Sequence, residues 1–337
     1  MATNGVPEQL DMDTTTKTGL TIVRVTEEYD VVLRIGRPPD IALGLSSAVL
    51  RAASPVFAAL LGPHFAEGQS EGTTDEPKEV TLQGDNSEAM SDICHLLHNK
   101  TIGTVITRLV KNPQSARIHQ LAVVIDKYAC TEPLTLHTQA LLLGYLDSHY
   151  GGLAHLGNIA AAAYMLDHGR AFTIATRRLI TRCNEPYSDL HKSNGSHALP
   201  VTALLAMEEK RTAAQRKLAR DIMLFGAPHC SHAKACNNHD VSYYDNICTV
   251  FQVRHWPPSF DLEGKNISSL ITTVKKVGTV WRENPSCDHT GTMMEVQAAK
   301  FWTLAEEIES ICEGLCLQCV RSGAADLKSK CTEKAHA

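Results

Sequence analysis

The residues best placed to do chemistry are thiols and imidazoles near the C-terminal end. The chain holds eleven cysteines and sixteen histidines. Cys316 and Cys319 have the two-residue separation that lets two thiolates reach one ion from a tight turn. Cys287 and His289 form a second close pair. Cys230 and Cys236, with His232 and His239 nearby, form a third. Mixed thiolate and imidazole donors suit zinc, and a structural zinc site takes four such ligands with no open position. The strings do not say which pairs would share an ion. A second reading stays open: Cys312, Cys316 and Cys319 fall at i, i+4 and i+7, the spacing of one buried helix face, and cysteine is often a small core residue. Gly314 inside the run favours a turn over a continuous helix. A structural zinc is the one cofactor these residues indicate, standing in for core in a small irregular subdomain.

Catalysis has little to rest on. Gly152-Leu-Ala-His-Leu-Gly157 has the glycine spacing of a phosphate loop, but Asn158 stands where lysine is required, and the segment reads as helix. No dinucleotide fingerprint, nucleophile elbow or paired-histidine zinc-protease string occurs. The expectation is a non-enzyme. Lys210, Arg211, Arg216, Lys217 and Arg220 share one expected helix with Glu208 and Glu209, and read as a solvated face more readily than as a phosphate-binding surface. Arg177 and Arg178 are read the same way.

The elements that must position these groups follow from periodicity. Residues 1–18 are polar and read as a loose tail without the apolar core of a secretory signal. Thr21–Thr26 alternates like a strand, Tyr29–Gly36 is a β-branched run closed by Gly36, Pro38 and Pro39, and Ile41–Leu45 can form a third strand. A short helix from Ser47, with a serine at its cap, leads to Ser54, which is placed to cap a second helix. Pro55 takes the first helical position, with Val56, Phe57, Leu60 and Leu61 on the buried face. Lys78–Leu82 is another strand. Asp85 or Asn86 caps a helix carrying Met90, Ile93, Leu96 and Leu97. Further helices are expected at 118–128, from Pro133, and at 153–166, 171–183, 201–225, 266–277 and 293–311, with a polar linker at 187–196.

Apolar content of 43% and charged content of 20% are those of a folded globular chain. A net charge of -5 gives no general pull toward nucleic acid or an anionic membrane. No apolar run approaches the roughly 18 residues that span a bilayer. With no export signal in view, the expected compartment is reducing, cytosol or nucleus, where clustered cysteines mean metal more often than disulfides.

Strands, a turn, a helix pair, a strand and a helical run form the order of the BTB/POZ fold, and the residues resemble that family in the same order. Asp30-Val-Val-Leu-Arg-Ile-Gly36, with Val32 and Leu33, resembles its opening strand. Leu43-Gly-Leu-Ser-Ser-Ala-Val-Leu50 resembles its strand-to-helix passage, and Ser54-Pro-Val-Phe57 its Ser-x-x-Phe signature. Val80-Thr-Leu82, Asp85-Asn86 and Leu121–Tyr128 continue the match. Gly62–Gly68 and Asp126-Lys-Tyr128 look most like the large BTB group of filamentous fungi, and Gly314–Val320 resembles a recurrent ending of those proteins.

The resemblance implies an α+β architecture: a BTB/POZ domain at 19–130, a small β-sheet with a helical cluster. A mainly helical extension follows at 131–225, then a Cys/His-rich, partly helical region at 226–337. It implies a protein-interaction scaffold or adaptor. Phe65-Ala-Glu67 resembles the motif by which some BTB proteins grip a cullin, which would make the chain a substrate adaptor of a ubiquitin ligase. The competing reading folds Phe65 onto its own core and leaves Glu67 solvated. The sequence departs from the family at Ser46, where a histidine is common, and at Leu43, where a large aromatic is common. A strand-swapped homodimer is therefore not assured. The alternative function is a BTB-containing transcriptional or chromatin regulator using its basic helix or a zinc-stabilised C-terminal region.

Overall fold

The computed structural model describes residues 14–15, 21–36, 41–63, 72–99, 115–148, 151–192, 199–224, 265–283, 291–324, 327 and 331. The chain divides into two compact units, one of residues 1–150 with 161–171, the other of 151–160 with 172–337.

The first unit is built on a mixed sheet of β1 (Thr14–Thr15), β2 (Thr21–Arg24), β3 (Val31–Ile35), β4 (Ile41–Leu45) and β5 (Lys78–Leu82), in the order β1-β2-β4-β3-β5. β3 runs antiparallel to β4 and parallel to β5, with Leu33 opposite both Leu43 and Val80. Val31, Val32, Leu33 and Ile35 are all buried, so both faces of β3 are covered, which is why the strand is aliphatic on both faces apart from Arg34. Arg34 is half-buried and meets Glu79 of the neighbouring strand at 3.3 Å.

Helices α1 (Ser47–Ala53) and α2 (Pro55–Leu60) follow, then α3 (Ser87–Leu97), α4 (Ser115–Lys127) and α5 (Thr131–Ser148). α3 packs against α1, α4 and α5. The serine expected to cap α1 does not do so. Ser46 makes no side-chain cap. Asp30, at the entry to β3, accepts the Ser47 N–H at 2.7 Å and the Ser47 hydroxyl with its other oxygen. A carboxylate at a helix N-terminus satisfies an orphan donor and complements the helix dipole. The Ser46 N–H is taken by His98 Nε2 at 3.0 Å, so an imidazole does reach this passage, from the end of α3. Leu43 is buried in mid-sheet.

Ser54 caps α2 as its position predicts: its Oγ accepts the Phe57 N–H at 3.0 Å, with Pro55 in the first turn. The same hydroxyl donates to the Tyr128 carbonyl at 2.5 Å. Phe57 stacks on the Tyr128 ring with centroids 4.5 Å apart. Of the apolar residues expected on the buried face of α2, Phe57 and Leu61 are buried and Leu60 is partly so. Val56 is 38% exposed, because the short helix has room for one inward stripe only. Asn86, and not Asp85, caps α3, accepting the Ala89 N–H at 2.9 Å. Asp85 is thereby left to bind Lys127 at 2.6 Å and the Tyr128 hydroxyl at 2.9 Å.

α6 (Leu153–Met165) carries the division between the units, and α7 (Gly169–Arg182), α8 (Val201–Leu224), α9 (Ile267–Glu283), α10 (Gly291–Ile311) and α11 (Leu317–Arg321) follow. Within the expected polar linker, Tyr187–Lys192 is a 3-10 turn with Tyr187 and Leu190 buried.

The reading of the basic residues of α8 as a solvated face is corrected at several positions. Lys210 and Arg211 are only 4% and 7% exposed. Lys210 reaches the Ile311 carbonyl at 3.3 Å. Arg211 donates to the carbonyls of Cys183 at 3.2 Å and Glu185 at 3.0 Å, pairs with Glu208, and lies 4.4 Å from the Tyr187 ring centroid. Lys217 binds Asp221 at 2.9 Å and Glu307 of α10 at 2.6 Å. Leu205 of the same helix is exposed. Long cationic side chains bury their stems and satisfy carbonyls at helix ends, so charge alone did not mark the outer face.

Replacing Ser54 by alanine removes two hydrogen bonds at once and leaves the Phe57 N–H and the Tyr128 carbonyl without that partner. A loss of about 1–3 kcal/mol is expected from a buried, doubly used hydroxyl. Denaturant unfolding followed by Tyr and Trp fluorescence checks it; a change within about 0.5 kcal/mol, the range of an ordinary surface substitution, contradicts the bridging role.

Candidate functional site

Three cysteines come together near the end of the chain. The Sγ atoms of Cys316, Cys319 and Cys331 all lie within 4.8 Å of one another, and the Cys319 and Cys331 sulfurs are 3.5 Å apart. All three side chains are half-buried. A tetrahedral ion with Zn–S bonds of about 2.3 Å holds its sulfurs about 3.8 Å apart, so the cluster matches a shared ion after small side-chain adjustments. It supplies three ligands.

The elements that create this site are short. α10 ends at Ile311, Cys312 turns into the core, and the chain runs extended through Gly314 and Leu315 before α11 starts. Cys316 is the extended N-cap residue of α11, and Cys319 sits one turn on. The reading of Cys312, Cys316 and Cys319 as one helix face is therefore wrong, because α10 stops just before Cys312 and α11 starts just after Cys316. Cys312 alone is a buried core thiol, and burial pushes its pKa up to about 12.

Gly314 explains the break. A Cβ there would lie 1.9 Å from the Thr173 carbonyl oxygen and 2.7 Å from its carbon. The stretch of chain leading to Cys316 thus lies backbone to backbone on α7, where no side chain fits. Two hydroxyls of α7 hold it there. Thr173 Oγ1 donates to the Leu315 carbonyl at 2.9 Å, and Thr176 Oγ1 accepts the Leu315 N–H at 2.9 Å.

The electrostatics of the three thiols are unequal. For Cys316, burial alone would raise the pKa, but hydrogen bonds from the backbone N–H and thiol of Cys319 and from Cys331 outweigh it and hold the group below the usual thiol range. Cys319 is pushed up to about 12 by burial and by donating its proton to the neighbours. A cation bound here would displace the thiol protons that these hydrogen bonds share.

Cys316 and Cys319 were marked by their spacing. Cys331 was not, since it is twelve residues beyond Cys319 and has no close partner in sequence. Cys230, Cys236, Cys287 and His289 lie outside the described residues, as do Phe65 and Glu67. Asp30, Val32, Leu33, Leu50, Ser54 and Phe57 converge in the first unit: Val32, Leu33, Leu50, Ser54 and Phe57 are buried, and Asp30 is partly so.

The first unit also carries an apolar groove of about 440 Å³ lined by Pro55, Val56, Leu60, Leu82 and Tyr128, with Lys127 at its edge. The outward stripe of α2 that the core leaves unused forms one wall, and the stacked Tyr128 forms the other. Among the described residues no helix is long and apolar enough to cross a membrane.

No family model, curated protein or solved structure matches this chain.

Gly314→Ala must push the segment off α7 and displace Cys316 with it. The expected cost is about 1–3 kcal/mol, as for other overpacked sites. Gly323→Ala, at φ +67° but in open space, should cost only about 1 kcal/mol. Equal unfolding midpoints for the two variants in parallel melts would show that the Gly314 contact is not tight.

Proposed function

We propose that the chain is a protein-interaction scaffold of the BTB/POZ type, with a C-terminal region braced by a structural zinc ion. One observation carries the reading. Asp30, Ser54, Phe57 and Tyr128, which carry the family resemblance, each make a contact that orders a helix: Asp30 caps α1, while Ser54 caps α2 and bonds to Tyr128 at the end of α4, on whose ring Phe57 stacks. An order of strands, helix pair, strand and helices accompanies it. The groove beside α2 supplies an exposed apolar surface that a partner's apolar side chains would cover.

The sharpest form of the proposal is a substrate adaptor of a cullin-type ubiquitin ligase, with Phe65 inserting into the cullin and Glu67 orienting it. Zinc would be held by Cys316, Cys319 and Cys331, with a fourth ligand from another stretch of the chain. Its role would be to tie α11 to the stretch that carries Cys331. The alternative, a regulator reading DNA through α8, has lost its best cations: Lys210 and Arg211 are spent on carbonyls and on a tyrosine ring.

Calorimetric titration of the full chain with the N-terminal region of a cullin tests the adaptor form. Binding weakened at least about tenfold, or 1.4 kcal/mol, is expected when Phe65 and Glu67 are both replaced by alanine. Undiminished binding in the double variant removes the motif, and no binding by the unaltered chain removes the cullin.

A further inference from the structure

The thiols of the C-terminal cluster differ from the others in access as well as in grouping. Among the described residues Cys94, Cys130, Cys183 and Cys312 are buried, whereas Cys316, Cys319 and Cys331 are half-buried. Oxidation of a cysteine follows its exposure and the nearness of a second thiol that can complete the reaction. Cys319 and Cys331 meet both conditions. Their sulfurs face each other at 3.5 Å.

The backbone around Cys319 is held for that contact. α11 ends in a Schellman turn, in which the Ala324 N–H donates to the Cys319 carbonyl at 3.0 Å and the Gly323 N–H to the Val320 carbonyl at 3.3 Å. Gly323 takes the left-handed conformation that this turn requires, at φ +67°. The carbonyl of Cys319 is thus fixed by the turn while its sulfur faces Cys331. A disulfide of about 2.05 Å is reached from 3.5 Å by a modest change of side-chain torsion. Such a bond ties α11 to a residue twelve positions further on, whereas one between Cys316 and Cys319 closes within a single helical turn.

We propose that Cys319 and Cys331 form a reversible disulfide when the chain meets a hydroperoxide. One sulfur attacks the peroxide, the O–O bond breaks, and the sulfur becomes a sulfenic acid as the first water leaves. The second sulfur displaces the hydroxyl of that sulfenic acid, which forms the S–S bond and releases a second water. The two thiol protons depart in the waters, and two electrons pass from the pair to the peroxide.

One consequence rests on the zinc reading given above. The bond consumes two of the three sulfurs that lie within 4.8 Å of one another, so an ion held by them loses its site. Oxidation of the pair and retention of the ion then exclude each other. Reduction by a thiol restores both sulfurs as ligands.

The test treats the full chain with hydrogen peroxide, blocks free thiols by alkylation, and maps tryptic peptides of the monomer by mass spectrometry. Cys319 lies in the peptide that ends at Arg321, and Cys331 opens the peptide after Lys330. Peroxide is expected to raise the joined peptide at least about tenfold, with fragmentation assigning the bond to Cys319, and dithiothreitol to reverse it. The bond should persist in Cys316→Ser, which keeps the pair. A Cys331 that stays alkylated after peroxide, or a bond that joins Cys316 to Cys319 or to Cys331 instead, overturns the proposal. A chromophoric chelator reads zinc release in the same samples and separates the two readings. A chain that forms the bond but never held zinc upholds the pair and removes the ion; a zinc-loaded chain that keeps its ion and its thiols under peroxide does the reverse.

Discussion

The hydroxyl of Ser54 is the contact on which the first unit turns. It closes the N-terminus of α2 and, with its proton, holds the carbonyl of Tyr128 at the end of α4. Residues 74 positions apart are thereby fixed to one oxygen atom. The Phe57–Tyr128 stack follows from that placement, and the Tyr128 hydroxyl then reaches Asp85. Asp30 does the same for the preceding helix, tying the start of β3 to the start of α1. Short helices of six or seven residues are marginal alone. They persist here because Asp30 caps α1 from the entry to β3 and the serine that caps α2 is itself bonded to the end of α4.

The second unit solves a similar problem with a close backbone approach. Gly314 lets the chain lie on α7, two threonine hydroxyls fix it, and Cys316 emerges at the right place to meet Cys319 and Cys331. Long cationic side chains do the remaining tying. Arg211 gathers Cys183, Glu185 and Tyr187, and Lys217 joins α8 to α10. These polar ties draw largely on backbone carbonyls, which water would otherwise solvate.

Much of the first unit was legible because local signals and tertiary needs agree there. β3 is aliphatic and buried at every position but Arg34, Ser54 and Pro55 mark a helix start, and Gly36 ends a strand with φ +101°. What could not be read were contacts made across long stretches of chain. Asp30 caps α1 from seventeen residues away, and His98 reaches Ser46 from fifty-two. Lys210 and Arg211 have the composition of a solvated face and the environment of a core, because their partners are carbonyls with no mark in the sequence. At the thiol site, Cys316 and Cys319 announced themselves by spacing, whereas Cys331 joins them only through the tertiary fold.

The gathering of Cys316, Cys319 and Cys331 around one ion is the claim that joins the fold of the C-terminal region to its chemistry. It is tested most directly by the metal content of the full chain, purified without chelator, beside that of Cys331→Ser. The account predicts about one equivalent of zinc per chain, as a structural site binds, and loss of that ion in the variant. A metal-free protein with three readily alkylated thiols, or a Cys331→Ser variant that keeps its zinc, would contradict it.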